Sequence, residues 1–334
     1  MMIENTPAPG LFNLHKPAGM SSRRAVDHVK HLVKPLKAGH AGTLDPLASG
    51  VLVVAVGSVT RLITRIQQQP KSYRAVFRLG WTSPTDDTEA DLVQTHDASL
   101  PSARAVRAAL SSFTGQIDQL PPAFSAVHVG GQRAYKLARS GREVELQPKQ
   151  VEIYRCELVQ HRLPDSPDIT VEIQCGSGTY IRSIGRDLGE RLGCGAVMLS
   201  LVRTEIGSFQ LDTAISPEEL SRDNLAEHCL PATTALPEVP QLLLTQAETA
   251  EIKHGRPLTL PVADDRLEVL QTAEATATTA ADGLEVAVMA AEGGVAALAS
   301  WDGAKRVLRP RQVLIRPDSN RQQGRPRTRP RQPQ

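Results

Sequence analysis

Aromatic side chains make up only 3% of this 334-residue chain. A protein that relied broadly on rings to stack on planar ligands would carry more, so each aromatic in a suggestive place carries weight. Cysteine is sparse as well. Cys156, Cys175, Cys194 and Cys229 form no CxxC pair, which argues against a zinc site or a disulfide framework and for reduced, mostly buried thiols. No apolar run reaches the length of a membrane span. The polar stretch Met1 to Gly10 lacks the apolar core of a signal peptide. The expectation is a cytoplasmic protein with no membrane attachment.

What is present is an ordinary globular composition, 40% hydrophobic and 22% charged. The length suits one large domain and a smaller one. The formal net charge of +2 conceals a segregation. Residues 1–80 hold eleven Lys/Arg against three acids, whereas residues 241–300 hold three basic residues against nine acidic ones. From Arg316 onward there are six arginines and one acid. A basic first part suits a phosphate-rich partner, since each neutralised phosphate releases counterions. Charge runs are also common on plain solvated surface, so charge alone decides little.

Along the chain, Leu11 to Leu14 reads as a strand that ends at the turn Lys16-Pro17-Ala18-Gly19. Ser21 or Ser22 can cap a helix with Ala25, Val26, Val29, Leu32 and Val33 on its apolar face. A loop from Ala38 to Gly50 precedes the continuous apolar run Val51 to Val56, the pattern of a strand buried on both faces. Val59, Leu62, Ile63 and Ile66 mark a helix. Ser72 to Leu79 alternates, with Tyr73, Ala75, Phe77 and Leu79 on one side. A helix over 102–113, strands near 151–160 and 169–175, and a helix from Tyr180 to Leu192 stopped by Gly193 follow. Strands and helices mix without a βαβ rhythm, so the fold class is α+β, with a large mixed, mainly antiparallel sheet flanked by helices. Leu230 to Pro240 reads as a linker. A smaller strand-rich module spans about 241–316, with a low-complexity insertion near 272–282 that reads as a loop or a soft helix. Residues 317–334 read as a basic, disordered tail.

The segment Gly39-His40-Ala41-Gly42-Thr43-Leu44-Asp45-Pro46-Leu47-Ala48-Ser49-Gly50 gathers glycines and a proline around one histidine and one aspartate. An isolated Asp-Pro would more often cap a turn, but glycines remove bulk where a planar ligand must approach. The segment resembles the GHxGxLDPxAxG signature of the TruB-type tRNA pseudouridine synthases, with every fixed position matched. Further motifs agree in the family's order: Lys16-Pro17-Ala18-Gly19-Met20-Ser21-Ser22 resembles KPxGxxS, and Lys71-Ser72-Tyr73 resembles KxY. Gly178-Thr179-Tyr180-Ile181-Arg182 resembles GTYIR, and Leu201-Val202-Arg203-Thr204 resembles LxRT. Pro122-Ala123-Phe124-Ser125-Ala126 and Gly141-Arg142-Glu143-Val144 fall where the family has PPxxSA and GxEV. The likeness covers roughly residues 10–210.

This resemblance implies a pseudouridine synthase fold with a catalytic domain over 11–235, a short extension over 1–10 and a PUA-like RNA-binding domain over 241–316. It implies isomerisation of uridine-55 in the TΨC loop of tRNA, without metal or cofactor. Asp45 would be the nucleophile, and Arg182 would pair with it and keep it charged. Tyr73 would stack on the base near its C5 proton, with Tyr180 packing against base or sugar and Leu201 forming an apolar wall. His40 would contact or displace the flipped nucleotide. Lys16 is assigned a supporting role beneath the loop. Flipping costs roughly a few kcal/mol, part of which stacking on Tyr73 returns, at about 1–3 kcal/mol per base. In the stretch Thr85-Asp86-Asp87-Thr88-Glu89, Glu89 stands where the family has Asp. The expected partner is the TΨC stem-loop, with no obligate protein partner and a monomeric state. Two rivals remain: a tRNA-binding folding chaperone in which catalysis is incidental, and a synthase acting on another RNA.

Overall fold

A computed structural model of the chain describes residues 8–95, 99–124, 128–129, 132–133, 146–276 and 283–315. They fall into two compact units, one running through Ala235 and the other starting at Leu236.

The first unit is organised by one sheet. Its strands are β1 (Gly10–Lys16), β2 (Ala38–His40), β3 (Ser49–Val56), β4 (Lys71–Leu79), β5 (Gly115–Gln119), β6 (Lys149–His161), β7 (Asp168–Cys175), β8 (Ala196–Ile206) and β9 (Phe209–Gln210). They lie in the order β1-β3-β8-β4-β7-β6-β5, with β2 added to β3 and β9 to β8. Neighbours are antiparallel except β3 and β8, which run parallel and meet over only two residue pairs, Val202 with Ser49 and Arg203 with Gly50. The sheet is therefore mixed and mainly antiparallel, as the element pattern indicates.

Side-chain pattern explains the strand positions. Gly50 to Val56 of β3 is buried throughout, as a strand covered on both faces requires. In β4, Lys71, Tyr73, Ala75, Phe77 and Leu79 are buried. On the other face Arg74 and Arg78 lie opposite Glu172 and Asp168 of β7 and pair with them at 2.8 Å each. Such half-exposed cross-strand pairs fix register more than they stabilise, at about 0.2–1 kcal/mol apiece.

Helices cover the sheet. Helix α1 (Ser22–Leu32), capped by the Ser21 side chain, buries Ala25, Val26 and Val29 against Phe12, Leu14, Leu52 and Val54. Helix α2 (Ile63–Gln68) continues a 3₁₀ turn, Gly57–Leu62. The stretch read as one helix thus begins as the tighter form. Helices α3 (Ala103–Ser111) and α4 (Ile181–Leu192) pack into a second core with Phe77, Ile173 and Leu188. Helix α4 ends at Gly193, whose φ of +68° suits glycine. It lies unusually close to the sheet: a Cβ on Gly189 would stand 2.1 Å from the backbone nitrogen of Ala196, and one on Gly185 would stand 2.6 Å from the Phe77 ring.

Two readings change. The first three residues of the expected 38–50 loop form β2, because their backbone pairs with β3. The expected linker is packed in its first part: Leu230 exchanges hydrogen bonds with Leu11 at 2.8 and 2.9 Å, and Ala232 and Ala235 are buried.

The second unit has its own core. Its elements are β10 (Gln241–Leu243), α5 (Gln246–Lys253), β11 (Leu258–Thr259), α6 (Arg266–Thr276), β12 (Leu284–Met289), β13 (Val295–Asp302) and β14 (Val307–Val313). The sheet order is β10-β12-β13-β14-β11, packed around Ile252, Leu270 and Trp301. Thr245 and Glu248 form a capping box on α5, and Arg266 pairs with Glu248 at 2.7 Å and Asp264 at 2.6 Å. Thr272 to Thr276, the start of the low-complexity run, continues α6 as a helix. Its remainder, the 317–334 tail, the 141–144 motif and Ser125-Ala126 lie outside the described residues.

Candidate active site

The loop carrying Asp45 is held by bonds from three directions. The Ser22 hydroxyl and the Leu44 backbone bond reciprocally, N to Oγ and Oγ to O, both at 2.9 Å. The amide of Gly19 donates to the Pro46 carbonyl at 2.7 Å. From the sheet, Arg203 of β8 sends Nη2 to the Gly42 carbonyl at 3.0 Å and Nε to the Val51 carbonyl at 2.8 Å. Leu44 and Ala48 on either side of Asp45 are buried in the core that also holds Tyr73. Gly50 closes the loop at φ +106°, and a Cβ there would lie 2.1 Å from the Arg203 carbonyl oxygen. Only glycine fits that position.

Lys16 ties down the neighbouring turn, the one that donates from Gly19 to Pro46. It is fully buried, and its Nζ donates to the carbonyls of Met20 at 2.6 Å and Pro17 at 3.0 Å. Burial lowers it to about 8, with nearby Asp45 opposing and Arg203 assisting that fall.

Arg182 enters from the first turn of α4. Its Nη2 lies 3.0 Å from Asp45 Oδ2 and its Nη1 lies 3.3 Å from Asp87 Oδ2. The same two nitrogens donate to the carbonyls of Phe124 and Thr85, at 3.1 Å each. A buried guanidinium with two carboxylates and two carbonyls is well satisfied and cannot swing away without leaving a charge unpaired. Tyr180 just precedes that helix. The carboxamide of Gln119, buried at the end of β5, accepts from the Tyr180 amide at 2.8 Å and donates to its carbonyl at 3.1 Å.

The central strands supply the floor. Tyr73 on β4 stands directly opposite Arg203 on β8, and Leu201 stands opposite Ala75. Burial raises the Tyr73 phenol above its ordinary range, with the Arg203 charge opposing. Lys71, two residues before it, is brought down to about 8 by burial first and the Arg203 charge second.

These parts enclose a cavity of about 710 Å³ lined by Asp45, Lys71, Tyr73, Tyr180, Arg182 and Leu201, among others. Five of the residues singled out in the sequence thus meet in one place. His40 does not line it. Two residues before Gly42, His40 ends β2, and burial followed by the Arg203 charge lowers its pKa, so an uncharged ring is favoured there. Lys16 does not line the cavity either; its bonds go to Pro17 and Met20 in the turn that follows it.

The motif pattern missed four residues of this construction. The acid that reaches Arg182 is Asp87, fully buried; Glu89 lines the cavity and its amide donates to Asp87 Oδ1 at 2.9 Å. Arg203 and Lys71 were quoted within motifs without a role, and Gln119 lies outside every motif.

Chemically, the site offers a half-exposed carboxylate beside a fixed cation, two phenols and an apolar wall, in a pocket large enough for a whole small ligand.

Comparison with known proteins agrees. The family model for the N-terminal domain of TruB family pseudouridylate synthases matches residues 30–181. The model for the tRNA pseudouridylate synthase B C-terminal domain matches residues 182–239. The tRNA pseudouridine synthase B of Nitrobacter winogradskyi is 43% identical over 260 residues, covering 75% of this chain and 72% of that protein. Its counterpart from Arthrobacter sp. strain FB24 is 39% identical over 291 residues, covering 86% and 94%. The fold is shared with a chain of an H/ACA ribonucleoprotein bound to a substrate RNA containing 2′-deoxyuridine, at a TM-score of 0.65 and 22% identity over 92% of this chain and 86% of that one. Sequence motifs, sheet and cavity therefore converge on one assignment: the chain belongs to the TruB family of pseudouridylate synthases.

Proposed function

We propose that this chain converts uridine-55 in the TΨC loop of tRNA to pseudouridine, with Asp45 as the nucleophile. The reaction breaks the C1′–N1 bond, turns the base and joins C5 to C1′. The C5 proton leaves and N1 gains one, so no electrons are exchanged and nothing besides the RNA is consumed. Asp45 acts at the sugar while Arg182 holds it in place. Tyr73 and Tyr180 bracket the flipped base, and Leu201 excludes water from one side. Lys16 and Arg203 keep the loop in shape. His40, at the loop's entrance, serves the extruded nucleotide from outside the cavity.

The observation that carries this reading is the Asp45–Arg182 pair at the edge of a cavity that also contains both tyrosines. A tRNA-binding chaperone would have no need to keep a fixed cation against a half-exposed carboxylate, so that alternative is not favoured. The relatives' names support tRNA as the substrate. The second unit is assigned a PUA-like role in gripping tRNA, and the protein is expected to act as a cytoplasmic monomer without a protein partner. Incubating an unmodified tRNA transcript with the purified chain and mapping pseudouridine tests the assignment. Product at position 55 supports it. Product elsewhere only, or none, overturns it.

A further inference from the structure

One wall of the cavity has no part in the chemistry above. Thr64, Gln67 and Gln68 of α2 all line it, and their spacing of three and four residues puts them on one helical face. Glutamines on a helix are usually solvated surface; here Gln67 is half-buried and Thr64 and Gln68 are exposed, and all three line the cavity that Asp45 also lines. The three side chains are themselves uncharged, so what they offer a ligand is hydrogen bonding. A carboxamide offers a donor pair and an acceptor together, the complement of a base edge.

The helix is also held still. Lys71, itself a cavity residue, donates from Nζ to the carbonyls of Gln67 at 2.6 Å and Gln69 at 2.8 Å. The Gln69 side chain donates to the Ala235 carbonyl at 3.0 Å. Leu62 and Ile66 are fully buried beneath. A polar face on a fixed backbone reads hydrogen bonds better than one on a mobile loop. The cavity, at about 710 Å³, lies well within the range of pockets that enclose an entire ligand, leaving room beside a flipped pyrimidine for part of its neighbour.

We propose that Gln67 and Gln68 read the base adjacent to the flipped uridine and so set which sequence around it is accepted. Sequence-specific recognition of RNA works on such unstacked bases through their exposed edges. The inference rests on the proposed function, since it presumes a uridine in the cavity.

The test uses tRNA stem-loop transcripts carrying each of the four bases at the positions flanking the target, and compares kcat/KM for the full-length protein, Gln67→Ala, Gln68→Ala and Gln68→Glu. In the wild type one flanking position is discriminated; in at least one alanine variant that discrimination shrinks about tenfold, the scale of one bidentate base contact. Gln68→Glu, which keeps only acceptors, shifts preference toward bases presenting an amino group. Melting temperatures identify any variant that is merely unfolded. Equal losses on all transcripts, unaltered ratios, or a wild type indifferent to its flanking bases would each overturn the inference. Failure of the proposed function is separate and visible, because the wild type would then form no pseudouridine on any transcript.

Discussion

Asp45 and Arg182 form an unequal pair: their charged atoms stand 3.0 Å apart, yet the aspartate side chain is 39% exposed and the arginine only 6%. The cation is fixed by the carbonyls of Thr85 and Phe124 and by Asp87, while the anion faces open space. A substrate can therefore reach the carboxylate without disturbing its partner. Such preorganisation places the cost of assembling the site in folding rather than in each turnover.

Replacing Asp45 by Asn removes the charge and keeps the shape. Pseudouridine formation on a tRNA transcript is expected to fall below detection, while affinity in a filter-binding assay changes less than about threefold, within the ordinary range for losing a half-exposed contact. Substantial product from the variant would remove Asp45 from the chemistry.

Asp87 is fully buried against Arg182. Asp87→Ala leaves that cation short of one partner in a dry setting, a change that costs about 3 kcal/mol and lowers the melting temperature by roughly 6–12 °C in a unit of this size. Activity should fall as well, since Arg182 loses its rear support. A variant as stable and active as the parent would show that Asp45 alone satisfies the arginine.

Lys16 produces a pH signature. It is held near 8 in the folded chain against an ordinary 10.5, so between those values the unfolded chain binds a proton that the folded chain does not. Its contribution to stability therefore rises with pH across that window, by up to about 1.4 kcal/mol per unit. Lys16→Met lacks this rise. The buried thiols Cys156 and Cys175, pushed up to about 12 and 11, act in both proteins and cancel in the comparison. Urea unfolding from pH 7 to 10 should show the wild-type advantage growing above pH 8; a constant difference would contradict the burial argument.

Arg203 makes its loop contacts through three separate nitrogens, to Val51, Gly42 and Thr43. A lysine keeps the charge but cannot form that fork. Arg203→Lys is expected to lower kcat at least tenfold with a smaller change in KM, because it loosens three contacts around Asp45, and small misplacements cost that much or more. An equal rise in KM would mark Arg203 as a binding contact instead.

Gly189→Ala tests the close approach of α4 to β8. A methyl 2.1 Å from the Ala196 nitrogen forces the helix outward, at about 3 kcal/mol or more, and moves Arg182 with it. Thermal melting and activity should fall together.

The Asp45 loop, Tyr73, Tyr180, Arg182 and Leu201 were legible in the sequence because their motifs have fixed internal spacing. The sheet was legible from alternation in Ser72–Leu79 and unbroken apolarity in Val51–Val56. Strand β2 was not, since three residues are too few to display a period. Asp87 was obscured by its acidic neighbours Asp86 and Glu89, and only burial distinguishes it. Arg203 and Gln119 work through backbone carbonyls and amides, and a partner of that kind leaves no trace in side-chain pattern. His40 was assigned by its place in the motif, and the structure sets it at the end of β2, outside the cavity lining.

The two-pair junction between β3 and β8 has a mechanical meaning. Strands β1, β2 and β3 with α1 share one core, and β4, β7 and β8 with α4 share another. The Asp45 loop grows from the first and plugs Leu44 and Ala48 into the second. Those two side chains flank Asp45 in the core that also holds Ile181 and Ile184 of α4, so the aspartate is registered to its arginine by the second core rather than by the strand it grows from. Hydrogen exchange at the Ala41 and Ala48 amides, which donate to the Val53 and Asp45 carbonyls, separates the two attachments: one reports the strand side of the loop and the other its docked side.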